Sequence, residues 1–594
     1  MTDPVLPQAT RRVTLEFDAH GEPNFKTVCS PKTFRMRSLA IIPPRHVIPV
    51  IFVPGIMGTN IRATKASDDK QAPAWRPPNG TLAGLGEWRR RGKQEPTVRQ
   101  QQMNPKTTEV DPEGKVSLPR SADQLTEAEA KRRGWGELHW DSYSKVLAEL
   151  ERALNDQYED CGTDNAKEMA VWTLAKTLKK KKKDVLKDIW NPVKGDASAL
   201  TDSEFTRLDD YYYPVWGCGY NWLESNEKSA QTLLKRIDEA LDWYKSTKYF
   251  IPEGKVIIVT HSMGGMVTRR AAQLAPDKIL GVVNGVQPVG GAPVVYRRFR
   301  AGTEVGGAID IPGAAAATII GWDAADITCV MANAPGPLEL LPTKYYPSNW
   351  LKIEHKNGDK RDLLFSLPAS DPYESIYSKR VQEVWWGMID DTLIDPAGTI
   401  AGAGVEPIEN FNTALGMART YHDNVGLYCH PNTYAHYGAD HKQNSFGSVH
   451  WTTSADLPGE IKDGLIGLPT ERWTKLGKAE IGTENDGITF KLQDKTSPKK
   501  DDDPDAGDGT VPLHSGELIE QNATHVFRMK GFDHASSYKD DDVIENVLYC
   551  IAKIIQGAIP AKDLPQSKGE TCTAPGTPTD SSDSASQSSP ASAS

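Results

Sequence analysis

The chain has no apolar run approaching the roughly 18 residues that a membrane-spanning helix requires. Its longest uncharged candidate, 311–322 (IPGAAAATIIGW), is too short to cross. The N-terminus, MTDPVLPQATRRVTLEFDAH, lacks the apolar core of a Sec signal. The expectation is a protein made and folded in the cytosol, which a non-Sec route must deliver if it works elsewhere. Positive charge is also short: 69 Lys and Arg face 79 Asp and Glu, and a net charge of −10 argues against a nucleic-acid partner. Cysteine is scarce and scattered, with seven residues (29, 161, 218, 329, 429, 550 and 572) and no close pair. That excludes a disulfide framework and a zinc pattern, so reduced thiols are expected, with no metal and no cofactor. Hydrophobic content of 38% and charged content of 25% suit a soluble globular protein with long polar excursions.

What is present is organised around 255–265, KVIIVTHSMGG. Val256, Ile257, Ile258 and Val259 form a short β-branched run without alternation, the pattern of a parallel strand buried on both faces. The strand enters a tight turn at Ser262, and MVTRRAAQLAP then reads as a helix. Strand, turn, Ser, helix is the context of a nucleophile elbow, where Gly264 lets strand and helix backbones approach. Thr260 stands where the first Gly of that motif is usual. A second buried strand, 47–53 (VIPVIFV), ends in the glycine-bearing turn 54–58. In hydrolases of this kind the early-strand loop supplies one oxyanion N–H and the residue after the nucleophile supplies the other. Ile56 and Met263 are the expected donors, through backbone alone.

A serine at neutral pH needs a histidine to take its proton and an acid to hold the imidazole. The order expected is Ser, acid, His. Downstream, 505–512 (DAGDGTVP) sets Asp508 in a tight turn before Val511, at a strand's C-terminal edge. Asp502 and Asp505 belong to a solvated acidic run that offers at most a weak cation site. After a strand at 523–529 comes a Gly loop with His534, 26 positions beyond Asp508, and then a closing helix at 541–555. His514, His525 and the histidines of the cap are the competing bases, and His525 within a strand suits a structural role. Helices are also expected at 141–158, 171–190 and 224–244. The second of these contains KTLKKKKKDVLKDIW, read either as an interfacial helix for anionic lipid or as a solvated lysine-rich face. Between Ser262 and Asp508 lie 246 positions, more than a few βα units need. The excess, which includes Trp385 and Trp386, is expected to form a lid over an apolar pocket or the core of a second lobe.

FVPGIMG, YNW, THSMGG, GAP, NAPGPLELLP, GDGTVP and the late His534 resemble a branch of α/β-hydrolase lipases. That branch includes lecithin:cholesterol acyltransferase-like phospholipases and GPI-inositol-deacylase-like proteins. The size, large cap and Pro/Ser-rich end look most like the GPI-inositol-deacylase-like group of bacterial type VI secretion lipase effectors. The resemblance implies an α/β-hydrolase fold, a mostly parallel doubly wound sheet with a large inserted cap. It implies Ser262 as nucleophile, Asp508 as acid and His534 as base, and Asn221 where the branch often has Asp. It also implies an antibacterial toxin acting on membrane phospholipid in the target-cell periplasm, with a cognate immunity protein and a secretion-apparatus component as partners. The expected division is a leader at 1–46, a core at 47–295 and 500–559 with an insertion at 62–208, a cap at 296–499, and a disordered tail at 560–594. A soluble-substrate esterase or thioesterase, a lipid acyltransferase, and a catalytically decayed binding module are the alternatives.

Overall fold

A computed structural model describes residues 9–564 apart from residue 19 and the segments 27–35, 78–93, 119–124, 160–165, 304–320, 483–486 and 494–497. Of the apolar stretch 311–322 only Gly321 and Trp322 are described, and the expected tail lies outside the described residues from 565 onward.

The elements that build the central layer are, in chain order, β1 (Val50–Val53), α1 (Trp140–Asn155), β2 (Pro192–Lys194), β3 (Val215–Gly217), α2 (Asn226–Ser246), β4 (Val256–His261), α3 (Met263–Leu274), β5 (Ile279–Gly285), α4 (Pro407–Val425), β6 (Thr433–Gly438), β7 (His525–Met529) and α5 (Asp541–Ile555). The strands lie in the order β2-β7-β6-β5-β4-β1-β3. All neighbours are parallel except β2, which runs antiparallel to β7.

The two uniform apolar runs follow from this layering. Val50, Phe52, Ile257 and Val259 enter one core, while Ile51, Val53, Val256 and Ile258 enter the other. Helices α1 and α5 cover the first face, and α2 and α3 the second. A strand covered on both sides has no face left for polar residues. Each such Val or Ile side chain stabilises the fold by about 1.5–3 kcal/mol relative to exposure. Two helix starts are capped from the sequence: Ser225 accepts the Lys228 amide before α2, and Asp540 accepts those of Asp542 and Val543 before α5. The short strand Leu15–Phe17 packs onto this body through Phe17, against Trp243 and Phe250. Cys218, Cys329, Cys429 and Cys550 are buried free thiols.

A second core surrounds a six-stranded sheet made by Leu351–Asn357, Lys360–Leu367, Val449–Thr453, Arg472–Thr474, Lys478–Ile481 and Ile488–Leu492. Trp385 stacks on Phe490 with ring centroids 4.3 Å apart and donates to the Leu465 carbonyl, and Trp386 donates to that of Ile466. The Trp pair is therefore interior packing of a second lobe.

The expected cap at 296–499 is not continuous. Helix α4 returns to the central layer, where Tyr421 donates to the Met266 carbonyl of α3, and β6 inserts between β5 and β7. The β6 sequence TYAHYG lacks the β-branched run that marks β1 and β4, so the strand was hidden inside the stretch assigned to the cap. The single basic helix expected over 171–190 is also absent. Helix Ala170–Thr177 ends where Leu178 turns left-handed at φ 52°, and a hairpin of Lys179–Lys180 with Lys183–Asp184 follows. Lys180 faces α5, with its ammonium 2.6 Å from Asp542 and 2.7 Å from Glu545. At least that lysine is spent on an internal contact.

Candidate active site

The nucleophile position is made by β4 meeting α3. Ser262, between them, has φ 53° and ψ −124°. A non-glycine residue held there is strained, and surrounding contacts must impose it. One is the near-collision of α3 with the end of β1: a Cβ on Gly264 would lie 2.4 Å from the Val53 carbonyl oxygen and 2.6 Å from that of Pro54. Thr260 is accommodated because its hydroxyl donates to Asn284 and its carbonyl accepts from Tyr538. Gly264→Ala should therefore lower the denaturation midpoint by an amount equivalent to about 1–3 kcal/mol or more. It should also push the 54–58 loop from Ser262; a Gly264→Ala protein with wild-type midpoint would refute the close approach.

The three residues expected from chain order meet. His534 Nε2 lies 2.8 Å from Ser262 Oγ, and His534 Nδ1 lies 2.8 Å from Asp508 Oδ2. Asp508 is fixed from the other side by the Thr510 and Val511 amides, which donate to Oδ1 at 3.0 and 2.7 Å. The His534 amide donates to the Asp508 carbonyl at 2.7 Å, so acid and base share backbone as well as side-chain contact. Ser262 is 4% exposed and Asp508 1%. A carboxylate this buried, with three donors around two oxygens, keeps the imidazole Nδ1 protonated and leaves Nε2 as the acceptor.

The competing groups lie elsewhere. His514 bonds Glu517, and His525 at the start of β7 stacks on Tyr434 of β6. Asp505 accepts the Ser448 amide as a loop staple. Among the described residues, Asp440, His441 and Asp501 alone bring three donor atoms close enough for a cation. Asp501 already accepts from the His441 amide and ring, and Asp440 from the Lys442 and Gly531 amides. Asn221 is buried and donates to the Thr108 carbonyl and hydroxyl, a structural tie.

The loop at 54–58 is pinned around the expected donor Ile56. The Gly58 amide donates to the Gly55 carbonyl, and Met57 takes φ 61°, the left-handed third position of a tight turn. Pro54 and Met57 carbonyls accept from Tyr220 and Trp75. A Cβ on Gly55 would stand 2.9 Å from Ser262 Cβ, so this loop lies directly against the nucleophile. Among the described residues the amides of Ile56 and Met263 donate to no other protein group.

Two buried side chains beside the triad were not expected. Tyr143, on α1, accepts from the Gly55 amide at 3.1 Å and lies 2.9 Å from His261 Nδ1; His261 Nε2 lies 3.0 Å from the His534 carbonyl. Burial, reinforced by the neighbouring His534 ring, pushes His261 down to about 3, so it is neutral at neutral pH. Burial likewise pushes the Tyr143 hydroxyl up and keeps its proton on.

No family model matches the chain, and no curated protein does. Among solved structures, a chain from "The crystal structure of Tle4-Tli4 complex" superposes with a TM-score of 0.70 at 28% identity, over 87% of this chain and 100% of that one. The central sheet and that superposition agree. The chain has the α/β-hydrolase fold. Ser262 follows β4 and His534 lies in the loop beyond β7, both past the C-terminal ends of parallel strands, while Asp508 follows the two-residue strand Ala506–Gly507, which pairs antiparallel with Asp440–Asn444 just beyond β6. Among the described residues no helix is long and apolar enough to cross a membrane.

Proposed function

We propose that this chain is a serine carboxylester hydrolase, a lipase of the type VI secretion effector kind that acts on membrane phospholipid. The observation that carries the reading is the Ser262–His534–Asp508 chain of hydrogen bonds at 2.8 Å each, built on a strained elbow. The solved neighbour, Tle4 in complex with Tli4, supports the effector assignment and a dedicated protein partner. The GPI-inositol-deacylase-like motifs are the basis for the narrower subgroup, and the target-cell periplasm is its proposed place of action.

In the proposed reaction His534 Nε2 takes the Ser262 hydroxyl proton as Oγ attacks the acyl carbonyl. The Ile56 and Met263 amides receive the oxyanion, a contact worth about 3–4 kcal/mol per donor in such sites. His534 then gives its proton to the departing alcohol, leaving an acyl ester on Ser262. Water, deprotonated by His534, releases the fatty acid and restores the serine. Asp508 keeps the imidazole oriented and stabilises its positive charge throughout.

Fatty-acid release from mixed phospholipid vesicles, run beside hydrolysis of a short-chain soluble ester, tests this. The expected result is release from vesicles, with turnover rising once a lipid surface is present. Cleavage of the soluble ester alone would replace the lipase with a soluble-substrate esterase, and cleavage of neither would remove the enzymatic reading.

A further inference from the structure

We infer that Tyr143 and His261 are positioning residues: they form a directed hydrogen-bond relay that couples the loop carrying Ile56 to the loop carrying His534. The direction of every bond in the relay follows from its two ends. The Gly55 amide can only donate, so the Tyr143 oxygen accepts there. The His534 carbonyl can only accept, so His261 Nε2 carries a proton. A neutral imidazole has one N–H, which leaves His261 Nδ1 as a lone pair, and the Tyr143 hydroxyl proton must point to it. Donors and acceptors match from Gly55 to His534 with no site left over.

The relay holds two things a hydrolase of this kind needs in register. At one end it fixes the peptide before Ile56, and at the other it fixes the backbone of the base. Ser537 adds a second donor to the same His534 carbonyl at 3.1 Å. The fit leaves no slack, since a Cβ on Gly55 would stand 2.8 Å from His261 Nδ1. The Tyr143 ring itself is held by Phe52, with centroids 5.0 Å apart. Removal of the hydroxyl therefore subtracts the bond and keeps the packing. Neither residue exchanges a proton with substrate; each acts through a loop it holds.

The inference rests on the proposed hydrolase reaction for its kinetic readout, so the test has a second arm that does not. In the kinetic arm, Tyr143→Phe should lower kcat about ten- to a hundredfold with KM little changed, as expected when reacting groups are misplaced and binding is intact. His261→Ala should be at least as slow. His261→Gln should recover most of that loss, because its amide nitrogen reaches the Nε2 position and restores the donor to His534. In the spectroscopic arm, histidine-selective 15N labelling of the full chain should show His261 as the neutral Nε2–H form from about pH 5 to 9. Tyr143→Phe should shift the His534 ring signals. A Tyr143→Phe protein that loses thermal stability yet keeps wild-type kcat and unshifted His534 signals would make the pair structural only. An Nδ1–H tautomer at His261 would also overturn the relay. Should wild type cleave no ester, the hydrolase reading falls, and the relay stands or falls on the histidine spectra alone.

Discussion

Ser262→Ala should reduce kcat by about a millionfold, leaving only the residual catalysis that an oxyanion site and substrate binding supply. The change is clean in this structure. Ser262 Oγ bonds His534 Nε2, and alanine retains the Cβ that the close approach of Gly55 already accommodates. The backbone strain at φ 53° is the same for both residues, so the denaturation midpoint should move little. Because the three groups act as a unit, adding His534→Ala to Ser262→Ala should cost nothing more. Single-turnover hydrolysis of a chromogenic ester and fatty-acid release from vesicles check this side by side. Activity of Ser262→Ala within tenfold of wild type would mean that the nucleophile is not Ser262, whatever the geometry around it suggests.

The sequence exposed those parts of the molecule whose constraint is local. A strand buried on both faces must be apolar throughout, so VIFV and VIIV could be read directly. The elbow was legible for a similar reason, since Gly264 has backbone 2.4 Å from where a Cβ would be. Asp508 and His534 were reachable because chain order and strand ends narrow the choice, although Asp502, Asp505, His514 and His525 were all chemically eligible. Strand β6 was not legible. Its TYAHYG pattern carries His436, which lies buried with neither ring nitrogen bonded, and the cost of that burial is set by β5 and β7 rather than by neighbours in sequence. The lysine run forms a hairpin rather than a helix, and charge density says nothing of which ammonium finds a carboxylate 362 residues away, as Lys180 finds Asp542. Tyr143 was hidden differently. On an amphipathic helix a tyrosine reads as core, and only the fold sets its hydroxyl against a histidine 118 residues distant. His261 could have been noticed as the polar residue entering the elbow, in a strand where every other neighbour but Thr260 is apolar.

Asp508→Asn should cost about four orders of magnitude in kcat while leaving the fold intact. The size of the loss follows from how Asp508 is held. Its Oδ1 accepts from two backbone amides, Thr510 and Val511, so in the asparagine variant the carbonyl oxygen must occupy that position. The amide nitrogen cannot, since it would set donors against donors. The side-chain NH2 is thereby directed at His534 Nδ1, where the carboxylate now accepts at 2.8 Å. Nδ1 must then lose its proton to become an acceptor, and the single proton of the neutral ring moves to Nε2. That nitrogen faces Ser262 Oγ and can no longer take its proton. Asparagine thus preserves size, hydrogen bonding and backbone geometry while imposing the wrong tautomer. Asp508→Ala removes the orienting group without imposing that tautomer, so it should be no slower than Asp508→Asn despite the cavity it leaves. The comparison needs kcat for both variants at one pH, the histidine tautomer from 15N spectra, and a denaturation midpoint for each. An Asp508→Asn enzyme that keeps more than a tenth of wild-type turnover, with its ring still protonated at Nδ1, would show that another group orients His534.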